Sequence, residues 1–279
     1  MPALLRLARP LDVVLFFFAA AIGGVLTADA SALQDNGGRL FLAMAAAALV
    51  GGGSNVVNDL YDRDIDRINR PDRPLVSGAV SPGAAWAFWA ALSAVGVGLG
   101  VLASPVHGAI ALVSVVGLWA YSAYVKRLPA LGNVVVAGVI TLGVVYGGLA
   151  AGPPTPSLWA GAGLAFTILL AREIAKDVED EEGDRAGGAR TLPIVWGARR
   201  TLRLVAALVG VSVLVLPLVA HVVGPAFFVY GLALAACLLA ALWALASGGA
   251  SAARAHAASR WLKIGLGVGI VVLALARLS

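Results

Sequence analysis

Asn55-Val56-Val57-Asn58-Asp59-Leu60-Tyr61-Asp62-Arg63-Asp64-Ile65-Asp66-Arg67-Ile68-Asn69-Arg70-Pro71-Asp72-Arg73-Pro74 begins at the end of an uncharged run, residues 40–58. From Asp59 to Asp72 it packs five of the chain's fifteen acidic residues into fourteen positions. A long uncharged run that ends abruptly in charge is the pattern of a membrane span reaching water. On a helix, Asp59, Asp62 and Asp66 stand at i, i+3 and i+7 and share one face. Three carboxylates facing one way repel each other unless a cation lies between them.

The rest of the chain supports the membrane reading. Of its 279 residues 60% are hydrophobic and 13% charged, and mean hydropathy is +0.91. A soluble domain carries about 25% charged residues. The single cysteine, Cys237, excludes a disulfide framework or a cysteine metal site. The pI near 9.8 does not call for nucleic acid, because the bases sit in short segments between apolar runs. The first apolar run, after Arg9-Pro10, has no convincing cleavage site and reads as a retained span.

A span takes about 20 residues. The uncharged runs then give nine helices, near 11–29, 40–61, 82–103, 106–124, 131–150, 157–176, 202–220, 226–247 and 259–277. Ser104-Pro105, Gly152-Pro153-Pro154 and Gly224-Pro225 mark the tight turns inside the longest runs. With nine spans, eighteen of the twenty Lys and Arg residues fall on one side, and only Arg39 and Arg277 on the other. The basic side is then cytoplasmic, with the N-terminus inside and the C-terminus outside.

A second acidic stretch follows the sixth span. Asp177, Asp180 and Asp184 repeat the spacing of Asp59, Asp62 and Asp66, and both sets close an even-numbered span on the same side. Each precedes a basic segment containing proline, Arg70-Pro71 with Arg73-Pro74, and Arg190-Thr191-Leu192-Pro193. The expectation is one membrane domain over 1–279, built of two four-helix units and a ninth helix, with motif loops at about 59–80 and 172–200. A solvated helix end explains one acidic cluster well, and two matched clusters poorly. Acids at helix C-termini also oppose the macrodipole, a cost that cations offset. Hard carboxylate oxygens without His or Cys suit Mg2+, which shares phosphate oxygens. The bases among them, Arg70, Lys126 and Lys176 foremost, would take the remaining phosphate oxygens.

Asn58-Asp59-x-x-Asp62-x-x-x-Asp66, Asp177-x-x-Asp180-x-x-x-Asp184 and nine spans together resemble the UbiA-type intramembrane prenyltransferases, over nearly the whole chain. The resemblance implies an all-α ring of nine transmembrane helices around a central cavity, capped by the two motif loops. It also implies Mg2+-dependent transfer of an isoprenoid chain from its diphosphate. Asn69-Arg70-Pro71-Asp72-Arg73-Pro74-Leu75 and Arg172-Glu173-x-x-Lys176-Asp177 look most like the archaeal branch that makes digeranylgeranylglyceryl phosphate. That branch adds geranylgeranyl to the hydroxyl of geranylgeranylglyceryl phosphate. The alternative is a branch that prenylates 4-hydroxybenzoate or a quinone precursor.

The expected metal and diphosphate set is Asn58, Asp59, Asp62, Asp66, Asp177, Asp180 and Asp184, with Asp59, Asp62, Asp177 and Asp184 foremost. Arg70, Lys126 and Lys176 are the expected phosphate contacts. Asn55, a turn before the first motif, would face the cavity or bond a neighbouring helix. Tyr146 would orient the acceptor or shield the allyl cation, or simply pack. Arg9 resembles the family's Arg-Pro and would meet the acceptor's acidic group. Expected partners are the prenyl diphosphate, the lipid or aromatic acceptor and membrane lipids. His107, His221 and His256 form no metal pattern and read as packing or surface residues, and Gly143-x-x-x-Gly147 and Gly265-x-x-x-Gly269 as helix-packing faces. A transporter would carry its charges nearer mid-membrane. An alcohol phosphotransferase would carry one Gly-rich aspartate motif rather than two distant clusters.

Overall fold

Prolines, and the hydroxyls before them, set where several long helices begin. Ser81, Ser104 and Thr155 each accept a hydrogen bond from the backbone N–H three residues on, and Pro82, Pro105 and Pro156 follow at the first helical position. The hydroxyl satisfies an orphan donor, and proline sits where its missing N–H costs nothing. The computed structural model describes residues 2–246 and 251–278. Its regular structure is helical, with α1 Ala3–Ala8, α2 Pro10–Thr27, α3 Ala30–Asp35, α4 Gly37–Tyr61, α5 Arg63–Asn69, α6 Pro82–Ala103, α7 Pro105–Ala123 and a 3-10 turn Val125–Arg127. There follow α8 Leu131–Ala151, α9 Pro156–Glu179, α10 Glu181–Ala186, α11 Leu192–Trp196, α12 Ala198–Leu214, α13 Leu216–Val223, α14 Ala226–Ala246 and α15 Ala252–Leu278.

Nine helices among the described residues are long and apolar enough to cross a membrane, with α12 and α13 counting as one over Ala198–Val223. The chain is a multi-pass membrane protein. The seventh crossing breaks at Val215 because Pro217 enters at the second position of α13. Several boundaries differ from expectation, two of them at the site. The ninth helix begins at Ala252 instead of 259, so His256 and Arg254 lie on helix rather than in a loop. The sixth runs to Glu179 rather than 176 and includes Asp177. In both, the helix continues past the apolar layer into a charged segment. Residue 247, the expected end of the eighth span, lies outside the described residues.

α2 packs against α4, α8 and α15, while α9 packs against α8, α12 and α15. The approach of α2 to α8 depends on glycine, since a Cβ on Gly147 would lie 1.9 Å from the Ala20 carbonyl oxygen, and one on Gly23 1.8 Å from that of Val144. Gly143, read with Gly147 as one packing face, has open space beside it. α1 buries Leu7 and Ala8 against Val56, Leu75, Val80 and Ala85. Leu102, Leu214 and Trp243 point outward and are largely exposed, the pattern of a surface bathed in lipid. Arg39 donates to the Ala150 carbonyl at one end of the bundle, and the two acidic stretches meet at the other.

Candidate active site

Each acidic stretch crosses a helix break at its middle carboxylate. α4 stops at Tyr61 and α5 starts at Arg63, and Asp62 between them has φ −90° and ψ 1°. α9 stops at Glu179 and α10 starts at Glu181, with Asp180 between them at φ −96° and ψ 6°. Backbone bonds bridge both breaks. Asp62 N–H donates to Asn58 and Asp180 N–H to Lys176, each at 2.9 Å, so the carboxylates stay on one side. The two short helices then pack on each other. Gly183 leaves room for the Asn69 side chain, whose Nδ2 donates to the Asp180 carbonyl at 3.2 Å.

Beneath this pair lies a cavity of about 520 Å³. Its rim carries Asn58, Asp62, Asp66, Asp177, Asp180 and Asp184, and its deeper walls are apolar, with Leu15, Phe16, Ile140, Val144, Leu164 and Leu273. In the first cluster Lys126 Nζ meets Asp62, and Asn58 Nδ2 donates to Asp62 at 2.8 Å. Arg73 Nη1 donates to both Asp59 and Asp66 at 2.6 Å, and Arg9 Nη2 to Asp59 at 2.5 Å. In the second cluster Asn133 Nδ2 donates to Asp177 at 2.9 Å. Arg70 crosses from the first loop to Asp180 at 2.8 Å and Glu179 at 3.1 Å. Glu173 takes Lys176 and Arg172, each at 2.8 Å.

The electrostatics show the clusters facing each other. Burial pushes the Asp66 carboxyl up to about 6, with Asp62 and Asp59 adding to it against the pull of Arg73 and Lys126. Burial likewise raises Asp184 to about 6, opposed by Lys126 and reinforced by Asp180 and by Asp62 of the opposite cluster. Burial works against the charge on Lys126, but Asp62, Asp184 and Asp66 together outweigh it and raise its pKa. The ammonium thus stands where both clusters demand positive charge.

The donor set fits Mg2+ in a particular way. Among the described residues no three carboxylate, His or Cys side chains gather closely enough to hold a metal unaided. The carboxylates line a cavity rather than a cage, which suits an ion that keeps waters and shares phosphate oxygens. A cluster binding a cation by protein ligands alone would be drawn tighter than this.

Not every expected residue lies on the rim. Asp59 is 3% exposed and sits behind it, held by Arg9 and Arg73. Asn55 lines the cavity and also donates to the Ala8 carbonyl, so both readings of it coexist. Arg9, Arg70, Lys126 and Lys176 line the cavity. Tyr146 does not, because it is buried on the His107 ring beside a separate apolar cavity of about 50 Å³. His107 packs, bonding Ser104 and the Tyr146 carbonyl. His256, read as a packing or surface residue, lines the cavity and bonds Glu179 at 3.1 Å. Sequence reasoning did not single out Asp12, Tyr121, Asn133, Ser259, Arg260 or Lys263, all near or on the cavity wall. Asn133 carried a signal, a lone amide in an apolar span. The last three lie at the start of the expected ninth helix, where no spacing motif set them apart from the other basic residues.

A profile of the UbiA prenyltransferase family matches residues 13–273. The chain belongs to the UbiA prenyltransferase family. As a family member it is similar to the digeranylgeranylglyceryl phosphate synthase of Natronomonas pharaonis, with 39% identity over 99% of this chain and 97% of that one. It is also similar to the synthase of that name from Methanopyrus kandleri, 37% identical over 97% of each. Among solved structures, that of a digeranylgeranylglyceryl phosphate synthase in membranes superposes with a TM-score of 0.71, 26% identity and 99% of this chain covered, 98% of the other. A UbiA homolog from Archaeoglobus fulgidus, bound to GPP and Mg2+, shares the fold at a TM-score of 0.70 and 22% identity, covering 98% and 99% of the two chains. This UbiA family member is therefore a membrane prenyltransferase.

Proposed function

We propose that this chain transfers a geranylgeranyl group from its diphosphate to the free hydroxyl of geranylgeranylglyceryl phosphate, with Mg2+ on the diphosphate. One observation carries the reading. Two matched carboxylate-bearing helix ends open onto an apolar cavity, in a chain that aligns nearly end to end with digeranylgeranylglyceryl phosphate synthases.

Asn58, Asp62 and Asp66 on one rim, with Asp177, Asp180 and Asp184 on the other, hold Mg2+ together with diphosphate oxygens. When bound, Mg2+ supplies Lewis acidity that neutralises the leaving group. Lys126 and Arg70 turn from their carboxylates to phosphate oxygens, and Lys176 stands beside them. Asp59 acts behind the rim, fixing Arg9 and Arg73. The apolar walls take the prenyl chain and exclude water, leaving the acceptor hydroxyl as the nucleophile. The allylic carbon–oxygen bond breaks and releases diphosphate, an ether carbon–oxygen bond forms, and the hydroxyl proton passes to an oxygen of the departing diphosphate.

In this reading the site-bearing end and the N-terminus face the cytoplasm, a sidedness supported by eighteen of twenty basic residues. The chain is one membrane domain of two four-helix units and a ninth helix, supported by the matching breaks at Asp62 and Asp180. Asp59→Ala and Asp177→Ala proteins should remain folded and lose Mg2+-dependent transfer, and full activity in either overturns its assignment. Geranylgeranyl diphosphate offered with geranylgeranylglyceryl phosphate should give the diether. Product from 4-hydroxybenzoate alone would establish the aromatic branch instead.

A further inference from the structure

We propose that Arg260, with Ser259 and Lys263 beside it on α15, seats the phosphomonoester of the acceptor. The inference rests on the acceptor proposed above. His256, Ser259, Arg260 and Lys263 are spaced as one helix face, and all four line the cavity.

The other cations on the wall are engaged. Arg9, Arg70, Arg73 and Lys126 bond rim or neighbouring carboxylates, and Arg172 and Lys176 bond Glu173. On α15 itself Lys263 Nζ bonds Asp12 of α2 at 2.6 Å, and His256 bonds Glu179 of α9. These two contacts pin the face at both ends. Between them, Arg260 has no hydrogen-bond or ion-pair partner among the described residues, although it lines the cavity and is exposed. A guanidinium so placed can take a dianion bidentately without first giving up a carboxylate.

The acceptor's chemistry asks for such a group. Its free hydroxyl lies between the prenyl ether and the phosphate ester, so the phosphate stays within a few ångströms of the reacting oxygen. It carries negative charge and is repelled by both aspartate clusters and by the diphosphate held there. The α15 wall meets α9 at His256 and Glu179, and the carboxylates it touches, Glu179 and Asp12, are already paired, so it offers cation without uncompensated carboxylate. Ser259 is buried beside Arg260 and supplies a hydroxyl donor. The same guanidinium chemistry would also attract the phosphate of a bilayer lipid, and the test separates the two.

The full-length protein in phosphatidylcholine nanodiscs is given saturating geranylgeranyl diphosphate and Mg2+. Geranylgeranylglyceryl phosphate is compared with geranylgeranylglycerol, which lacks the phosphate. The wild type should prefer the phosphorylated acceptor in kcat/KM, and Arg260→Gln should cut that preference about tenfold or more. The KM for geranylgeranyl diphosphate should move less than about twofold, and Arg260→Lys should restore much of the preference. A preference unchanged in Arg260→Gln overturns the proposal. So does an equal loss on both acceptors, or a loss seen only in nanodiscs containing anionic lipid, which assigns Arg260 to the bilayer. A wild type that makes no diether from the phosphorylated acceptor overturns the acceptor reading itself. Thermal melting of Arg260→Gln separates a loss of fold from a loss of recognition.

Discussion

Carboxylates at the C-terminal ends of α4 and α9 oppose the helix dipole, and each is held by a side chain from far along the sequence. Asp59 takes Arg9 from 50 positions back, Asp62 takes Lys126 from 64 positions ahead, and Asp177 takes Asn133. The acids were legible as a pattern, whereas their partners were not, because nothing in a linear spacing pairs residues on different helices. Asn133 illustrates the consequence. It donates to one oxygen of Asp177 and, in the proposed reading, leaves the other for the metal, so it would orient a ligand without being one. Partners of this kind are worth about 10- to 100-fold in metal affinity or activity. Asn133→Leu should therefore raise the Mg2+ concentration for half-maximal transfer about tenfold, with kcat at saturating Mg2+ less affected. An unchanged Mg2+ titration would remove Asn133 from the site.

At the scale of elements, the spacing i, i+3, i+7 describes a single helix, yet the chain uses two helices with a break at the middle carboxylate. The face survives because Asp62 and Asp180 donate backward across their breaks. Such a break has no periodicity signature, so the nine crossings could be read from hydropathy while α5 and α10 could not. The same limit hid the first two turns of α15, where Arg254 and His256 resemble a loop in composition. The contact of α5 with α10 sets how the two clusters face each other, and Gly183 decides how close it is. A Cβ there would lie 2.4 Å from Asn69 Nδ2. Gly183→Ala should slow turnover about tenfold by displacing one loop from the other, since small misplacements are costly in an active site. In an Asn69→Ala background, where the obstruction is gone, the same change should cost only about twofold. A Gly183→Ala effect of equal size in both backgrounds would show that the helix contact does not set the geometry. Deeper in the bundle, Gly147→Val should destabilise by about 3 kcal/mol or more, read as a lower melting temperature, because its Cβ meets Ala20 backbone rather than a side chain that can move.

For the whole molecule, charge segregation and site construction are one arrangement. The end that carries most bases also carries both acidic clusters, so the cations proposed to orient the protein in the membrane also offset its buried carboxylates. Ser77 and Gln34 are exposed near opposite ends, so an impermeant maleimide should label Gln34→Cys in intact cells and Ser77→Cys only after lysis. The offset is incomplete without metal, and this gives the molecule a pH signature. Asp66 and Asp184 have folded pKa values of about 6, above the ordinary carboxylate value, chiefly from burial. A group whose pKa is raised on folding stabilises the fold when protonated, and that contribution disappears as pH rises through the folded value. Metal-free protein should therefore melt at lower temperature as pH climbs from about 5 to about 7. If these ionised carboxylates hold Mg2+ with a prenyl diphosphate as proposed, the sign reverses, and the stabilising effect of the ion should be small near pH 5 and grow through about pH 6 to a plateau. Melting curves with chelator and with Mg2+ plus diphosphate, across that range, should diverge as pH rises. Parallel curves would mean that these two carboxylates keep the same protonation with and without the ion, and so do not bind it.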